Sequence, residues 1–317
     1  MTKSEYNHMK PILLVITGPT ASGKTALSID LAHHFGTEIL SADSRQLYRE
    51  MHIGTAVPEY HELMQIRHHF IHTLSIFDYY NASMYEQEVL QTLEGIFLHT
   101  RMAILTGGSM MYIDAVCKGI DDLPAVDPHL RMELTALFER EGIESLRIQL
   151  RMLDPDYYAE VDLQNPKRLL HALEICKMTG KPYSSFRTNT VRERPFHILK
   201  IGLNPPRDLL YQRINLRVDD MVEKGLEAEA GSLYPHRQNN ALNTVGYREW
   251  FDYFDGLMSR EEAIEKIKSN TRRYARKQLT WFRRDQDIRW FEPSEYKEII
   301  PYIEQKTDVA WNRPDSL

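Results

Sequence analysis

The strongest chemical signal in the chain is GPTASGKT at residues 18–25. It matches the pattern GxxxxGK[ST] in full. Gly18, Pro19, Thr20, Ala21, Ser22 and Gly23 supply successive backbone N–H groups, and such a loop opening onto a helix N-terminus cradles a di- or triphosphate. Lys24 reaches the outer phosphate oxygens, and the Thr25 hydroxyl can ligate Mg2+. A bland alternative is a Gly-rich turn with an incidental lysine. Context weighs against it: the β-branched run ILLVIT precedes the loop, and Leu27, Leu31 and Phe35 follow at helical spacing. The loop shows that phosphate binds, not what becomes of it, because an ATP-binding kinase or other nucleotide-binding enzyme carries the same loop.

A second candidate is Asp43, in SADSRQLY at residues 41–48. It closes the strand-like EILSAD at 38–43, and open α/β sheets bind ligands at the C-terminal ends of their strands. A carboxylate there can hold Mg2+ indirectly or act as a general base. The weaker alternative is a helix N-cap. His68, His69 and His72 in RHHFIH have no metalloprotease spacing and no carboxylate ligands nearby, which disfavours a metal site.

These residues need a scaffold. A further apolar segment, MAILTGG at 102–108, and HILKIGL at 197–203 join the first two strands, and helix-length segments separate them. The pattern predicts an α/β fold, a P-loop NTPase-like parallel sheet flanked by helices. From about Leu123 the texture changes: Pro124, Asp127 and Pro128 punctuate the chain, and Arg-, Glu- and Leu-rich helical patterns run to about Gly180. This predicts an inserted all-helical domain at 123–192, between core segments 1–122 and 193–317. A chain of 317 residues suits one core plus a smaller unit. Apolar runs are too short to span a bilayer, and MTKSEYNHMK has no signal-peptide core, so a cytoplasmic location and no membrane contact are expected. Cys117 and Cys176 are too few for a disulfide framework and lack zinc-site spacing.

The net charge of −6 argues against indiscriminate coating of nucleic acid, but it hides a local patch. Seven basic and no acidic residues lie between Lys268 and Arg284. At about 100° per residue, Arg272, Arg273, Arg276, Lys277, Arg283 and Arg284 share an arc of about 140°, and Ile264, Ile267, Tyr274, Leu279, Trp281 and Phe282 fall opposite. A solvated helix is the bland reading. Segregation without acidic neighbours points instead to RNA phosphates.

Seven blocks then carry a resemblance: GPTASGKT, SADSRQLYREMHIGTA (41–56), TGGSMMYIDAV (106–116), NPKRLLHALEI (165–175), GLEAE (225–229), VGYREW (245–250) and TRRYARKQLTWFRR (271–284). In order and spacing the chain resembles the tRNA dimethylallyltransferase (isopentenyltransferase) family, bacterial type. The resemblance implies that the P-loop holds the pyrophosphate of dimethylallyl diphosphate while N6 of an adenosine attacks. That adenosine lies 3′ of the anticodon in tRNAs reading codons that start with U. Asp43 would accept a hydrogen bond or proton from N6, and Thr25, Lys24, Arg217 and Mg2+ would stabilise the departing pyrophosphate. Arg217 on local sequence alone reads as solvated helix surface. A stacked anticodon base cannot reach a buried diphosphate, so it must be extruded into the protein. The tRNA path implied by resemblance comprises Asp43, Ser44, Arg45, Gln46, Ser109, Arg131, Lys167, Arg168, Leu169, Leu170 and His171, to which the basic helix adds Arg272, Arg273, Arg276 and Lys277. One block departs from the family, which usually has GGTGLY where this chain has GGSMMY; Ser109 keeps the hydroxyl, and Met110 replaces a glycine that could have served a close approach or a positive φ.

The expected enzyme is a monomer that takes Mg2+, dimethylallyl diphosphate and the tRNA anticodon stem-loop, without the Cys and His zinc-finger extension of some eukaryotic relatives. Competing readings are a P-loop small-molecule kinase, against which the basic helix stands, and an adenylate isopentenyltransferase acting on free AMP or ATP. An RNA-binding module with a vestigial loop is opposed by the intact Lys24 and Thr25.

Overall fold

The computed structural model describes residues 10–121, 123–124, 127–187 and 190–307; the termini read above for a signal peptide and a zinc finger lie outside them. Contacts divide the chain into two compact units, Met1–Cys117 with Glu193–Leu317, and Lys118–Arg192. The helical unit thus opens at Lys118 and not at the expected 123, because Arg192 N–H donates to Lys118 O at 2.7 Å and closes the unit's neck.

In the larger unit the chain runs β1 (Ile12–Thr17), α1 (Lys24–Phe35), β2 (Ile39–Ser41), α2 (Tyr60–Leu63), β3 (His68–His69), α3 (Ala82–Phe97), β4 (Met102–Thr106) and α4 (Met110–Lys118). The smaller unit supplies α5 (Pro128–Glu141), α6 (Ile143–Leu153), α7 (Pro155–Glu160) and α8 (Pro166–Thr179). Returning to the larger unit are β5 (His197–Leu203), α9 (Arg207–Glu223), α10 (Leu226–Leu233), α11 (Tyr247–Phe254), α12 (Arg260–Phe282), β6 (Ile288–Phe291) and α13 (Ile299–Thr307).

The strands form one parallel sheet in the order β3-β2-β4-β1-β5-β6. β1 is central and fully buried, which is why it reads as a continuous apolar run and not as an alternating one. Its side chains split by the pleat: Leu13 and Val15 pack with Tyr85, Val89, Ile113 and Val116 of α3 and α4, while Leu14 and Ile16 pack with Leu31 of α1 and Ile299 and Ile303 of α13. Because β1, β2 and β4 are parallel neighbours, the P-loop, Asp43 and Gly107–Gly108–Ser109 leave the sheet at the same edge. The approach is tight. A Cβ on Gly107 would stand 2.2 Å from Ala42 O, so only glycine lets the exits of β2 and β4 run side by side.

β2 is shorter than the expected 38–43 and stops before Asp43, which leaves that residue in a turn. β3 and β6 have no counterpart in the sequence reading, since two histidines and IRWF are too short to show a period. A third cluster, around Tyr247, Trp250, Phe251 and Ile267, packs α10, α11 and α12 against Tyr48 and Met51. In the helical unit, three Asx-Pro pairs start helices: Asp127, Asp154 and Asn165 each accept a backbone N–H within their first turn, with proline at the position that needs no donor.

Arg194 donates to Glu86 at 2.7 Å and to the carbonyls of Val116 and Ala115, with the two charged side chains 6% and 2% exposed. Taking the guanidinium from a buried carboxylate is strongly destabilising. Arg194→Met should therefore cost about 3–5 kcal/mol in urea unfolding; a loss below about 1 kcal/mol would show that the pair contributes little.

Candidate active site

The P-loop is held in its conformation by positive φ at Gly18 (140°), Ala21 (63°) and Gly23 (98°). At Gly18 a Cβ would stand 2.7 Å from Leu203 O at the end of β5, so both torsion and space require glycine. Ala21 takes the left-handed region without being glycine, and it is kept there by packing with Leu210, Ile214 and Ala275. Tyr296 Oη donates to Ser22 O at 3.0 Å, and the Ser22 hydroxyl is buried inside the loop with no hydrogen-bond partner among the described residues.

Lys24 Nζ donates to Gly18 O at 2.9 Å and Pro19 O at 2.8 Å. Desolvation, together with the Arg217 charge, lowers its pKa to about 7, against the opposing pull of Asp43. Burial likewise lowers Arg217, opposed by Asp43 and Asp220. Arg217 Nη1 points to Thr20 Oγ1 at 3.4 Å, so the guanidinium faces the loop and is not the solvated group that local sequence suggested. Arg213, one turn earlier on α9, lines the same cavity, an i,i+4 arginine pair that the sequence reading passed over.

Asp43 stands opposite. Its Oδ1 accepts Arg45 N–H at 2.9 Å, which makes it the head of a turn and not a helix N-cap. Ser109 braces the next residue: its Oγ accepts Ser44 N–H at 2.8 Å, and its own N–H donates to Ala42 O at 3.0 Å. Gln46 is engaged within the protein, accepting from Ser41 Oγ at 2.9 Å and donating to Ala56 O at 3.0 Å. Met110 begins α4 and is not among the positive-φ residues, so the family glycine's backbone freedom is not required at this position.

These groups line one cavity of about 1100 Å³, walled by the P-loop, residues 43–46, Gly107–Gly108–Ser109, α9 and α12. That is large enough for a small diphosphate and a nucleobase together. Thr25, exposed at the start of α1, and Asp43 both border it. A hydroxyl and a carboxylate suit Mg2+, which is bound through few protein oxygens and takes phosphate and water for the rest. His68 and His69 are engaged elsewhere, with Ile66 O and Glu38.

The basic helix is only partly free. Arg273, Arg276 and Lys277 are exposed, but Arg272 is half-buried and donates to Asn215 Oδ1 at 2.5 Å, so it is removed from the cationic stripe. Tyr274, expected on the dry face, lies at the cavity and donates to Gly108 O at 3.1 Å. In the helical unit Lys167 and Arg168 are exposed, whereas Leu169 is fully buried between Leu146, Leu150 and Leu173, so its side chain does not reach RNA. Leu170 packs at the edge of that core. Arg131 makes a two-pronged contact with buried Glu174 at 2.6 Å, and His171 Nδ1 lies 3.6 Å from the same carboxylate.

Besides Arg213, the sequence assigned no role to Glu229 or Gln278. Glu229 accepts the N–H groups of His52, Ile53 and Gly54 at 3.1, 2.7 and 2.9 Å and the Tyr247 hydroxyl at 2.6 Å, which fixes the loop before Thr55 and Ala56. Gln278 accepts Thr20 N–H and donates to Gly108 O, both at 2.9 Å. Its signal was a polar residue at a position that continues the buried stripe Ala263, Ile267, Ala275 and Phe282 of α12.

A P-loop facing a carboxylate across a deep cavity, on a parallel sheet, defines an enzyme of the P-loop class. The comparisons give the family: the IPP transferase family profile matches residues 46–285. A tRNA dimethylallyltransferase from Bacteroides fragilis is 56% identical, covering 92% of this chain and 97% of the relative. The full-length tRNA isopentenylpyrophosphate transferase of Bacillus halodurans matches with a TM-score of 0.69 at 36% identity, covering 94% and 97%. A eukaryotic dimethylallyltransferase captured acting on tRNA gives 0.77 at 25% identity, covering 96% of this chain and 80% of that one. The chain belongs to the IPP transferase family and is a prenyltransferase of the bacterial type.

With its pKa near 7, Lys24 is largely neutral at pH 8, and an arriving polyanion raises it again. Binding should therefore take up a proton, and affinity for inorganic diphosphate should fall as pH rises above about 7. Calorimetry at pH 8 in buffers of different ionisation enthalpy measures the count. Wild type should take up more protons than Lys24→Met under the same conditions; equal counts would refute the lowered pKa.

Proposed function

We propose that this enzyme transfers the dimethylallyl group of dimethylallyl diphosphate to N6 of the adenosine 3′ of the anticodon, in tRNAs reading codons that start with U. The observation that carries this is the placement of Asp43 against Lys24 and Arg217 in one cavity, an acceptor of protons facing a cradle for a leaving anion. The N6 lone pair forms the bond to the first carbon of the prenyl group as the carbon–oxygen bond breaks and its electron pair leaves with diphosphate. The proton lost by N6 passes to Asp43. Lys24, Arg217 and the loop amides meet the charge that develops on diphosphate. Thr25 would hold Mg2+, which when bound would add to the neutralisation of that leaving group. Arg273, Arg276 and Lys277 in the larger unit, and Lys167, Arg168 and Arg131 in the helical unit, meet tRNA phosphates; Asp43, Ser44, Arg45 and Ser109 surround the extruded base. We place the reaction in the cytoplasm, with the enzyme acting as a monomer.

Incubation with radiolabelled dimethylallyl diphosphate and Mg2+ should label unmodified tRNA and leave AMP and ATP unlabelled. Label in AMP alone would identify an adenylate isopentenyltransferase instead. Asp43→Ala should lower the single-turnover rate by about a hundredfold or more at nearly unchanged tRNA affinity and melting temperature.

Arg273 and Arg276 are exposed and project from a helix anchored by its other face. Replacing both by Gln should flatten the slope of log K for tRNA against log salt by about one to two units, with little change in stability. A salt titration giving the wild-type slope would move RNA contact off this helix.

A further inference from the structure

α12 sends one more side chain to the cavity, and the reaction above assigns it no task. Gln278 is 1% exposed and its amide is used at both ends: Oε1 accepts Thr20 N–H, and Nε2 donates to Gly108 O, each at 2.9 Å. Thr20 belongs to the phosphate cradle and bears the Arg217 contact on its hydroxyl. Gly108 precedes Ser109, which braces the residue after Asp43. The contact is close-fitted, since a Cβ on Gly108 would stand 2.5 Å from Gln278 Nε2. Tyr274, one turn earlier on α12, donates to the same carbonyl. A single planar amide therefore spans the gap between the part of the site that holds phosphate and the part that holds Asp43.

We propose that Gln278 is a positioning residue that sets the distance between the diphosphate cradle and Asp43. The inference rests on the transfer reaction proposed above. Bond formation and departure of diphosphate must be aligned, and a misplacement of about 1 Å between reacting groups can cost about a hundredfold in rate. The bridge needs an acceptor and a donor on one rigid group of this length. An ionised carboxylate supplies only acceptors and sets an oxygen against Gly108 O; a protonated one restores the donor. A glutamine that merely holds the core together predicts lost stability but no such dependence on protonation.

The test uses Gln278→Glu and Gln278→Met, read as ratios to wild type in single turnover at saturating donor and tRNA. We expect both about a hundredfold slower at neutral pH, with diphosphate affinity within about threefold. As pH falls, the ratio for Gln278→Glu should recover, because burial raises its carboxyl pKa and protonation rebuilds the bridge, whereas the ratio for Gln278→Met should stay flat. Folded variants at the wild-type rate, or a Gln278→Glu ratio that does not change with pH, would overturn the role. Should both variants fail to fold, Tyr274→Phe decides: it removes only the second bond to Gly108 O, and a rate lowered severalfold at unchanged melting temperature supports the bridge, while an unchanged rate refutes it. A wild type that labels no tRNA refutes the transfer reaction itself; a wild type that labels tRNA beside unimpaired variants refutes only the bridge.

Discussion

Two cations held partly out of water impose the governing constraint on this molecule. Lys24 and Arg217 both have lowered pKa values, with desolvation the largest cause in each case and Asp43 a charge that opposes it. Keeping such groups in a cavity costs free energy that hydrogen bonds must offset. The Lys24 ammonium meets two carbonyls of its own loop, and Arg217 meets Thr20. The result is a site whose electrostatics favour a polyanion before one arrives, with its donors already aimed.

The sheet makes this arrangement possible. Three parallel strand ends deliver the cradle, the carboxylate and the Gly107–Gly108 turn to one edge, and backbone approaches that tolerate no Cβ keep them there. Around that edge, the cluster centred on Trp250 seats α12 with its basic face outward and its polar residue Gln278 inward. Glu229 adds a fixed wall by gathering three consecutive N–H groups on one carboxylate, a strong charge-assisted arrangement.

The helical unit follows a simpler logic. Three of its four helices, α5, α7 and α8, begin at Asx-Pro pairs, and its core of Leu134, Leu146, Leu150, Leu169 and Leu173 is apolar. A contiguous RNA-contact segment at 167–171 therefore conflicts with helical geometry, in which adjacent positions point about 100° apart. Lys167 and Arg168 face out, and Leu169 must face in.

Much of the site was legible in the sequence because it is written in short windows. A strand, a glycine loop and a helix start occupy consecutive residues, so the P-loop and its flanks can be read from local torsion and periodicity, as can the basic face of α12 and the Asx-Pro starts. Asp43 was placed at the right edge of the sheet, although as a turn head and not as the last residue of a strand. What only the tertiary structure decided are the partners. Arg217 and Thr20 lie 197 residues apart, and Gln278 and Thr20 lie 258 apart. Whether Arg217 faces solvent or phosphate, whether Arg272 belongs to the stripe or to Asn215, and what Gln278 and Glu229 bind are settled by which helix packs on which. Packing is a property of the whole core, and no local window carries it.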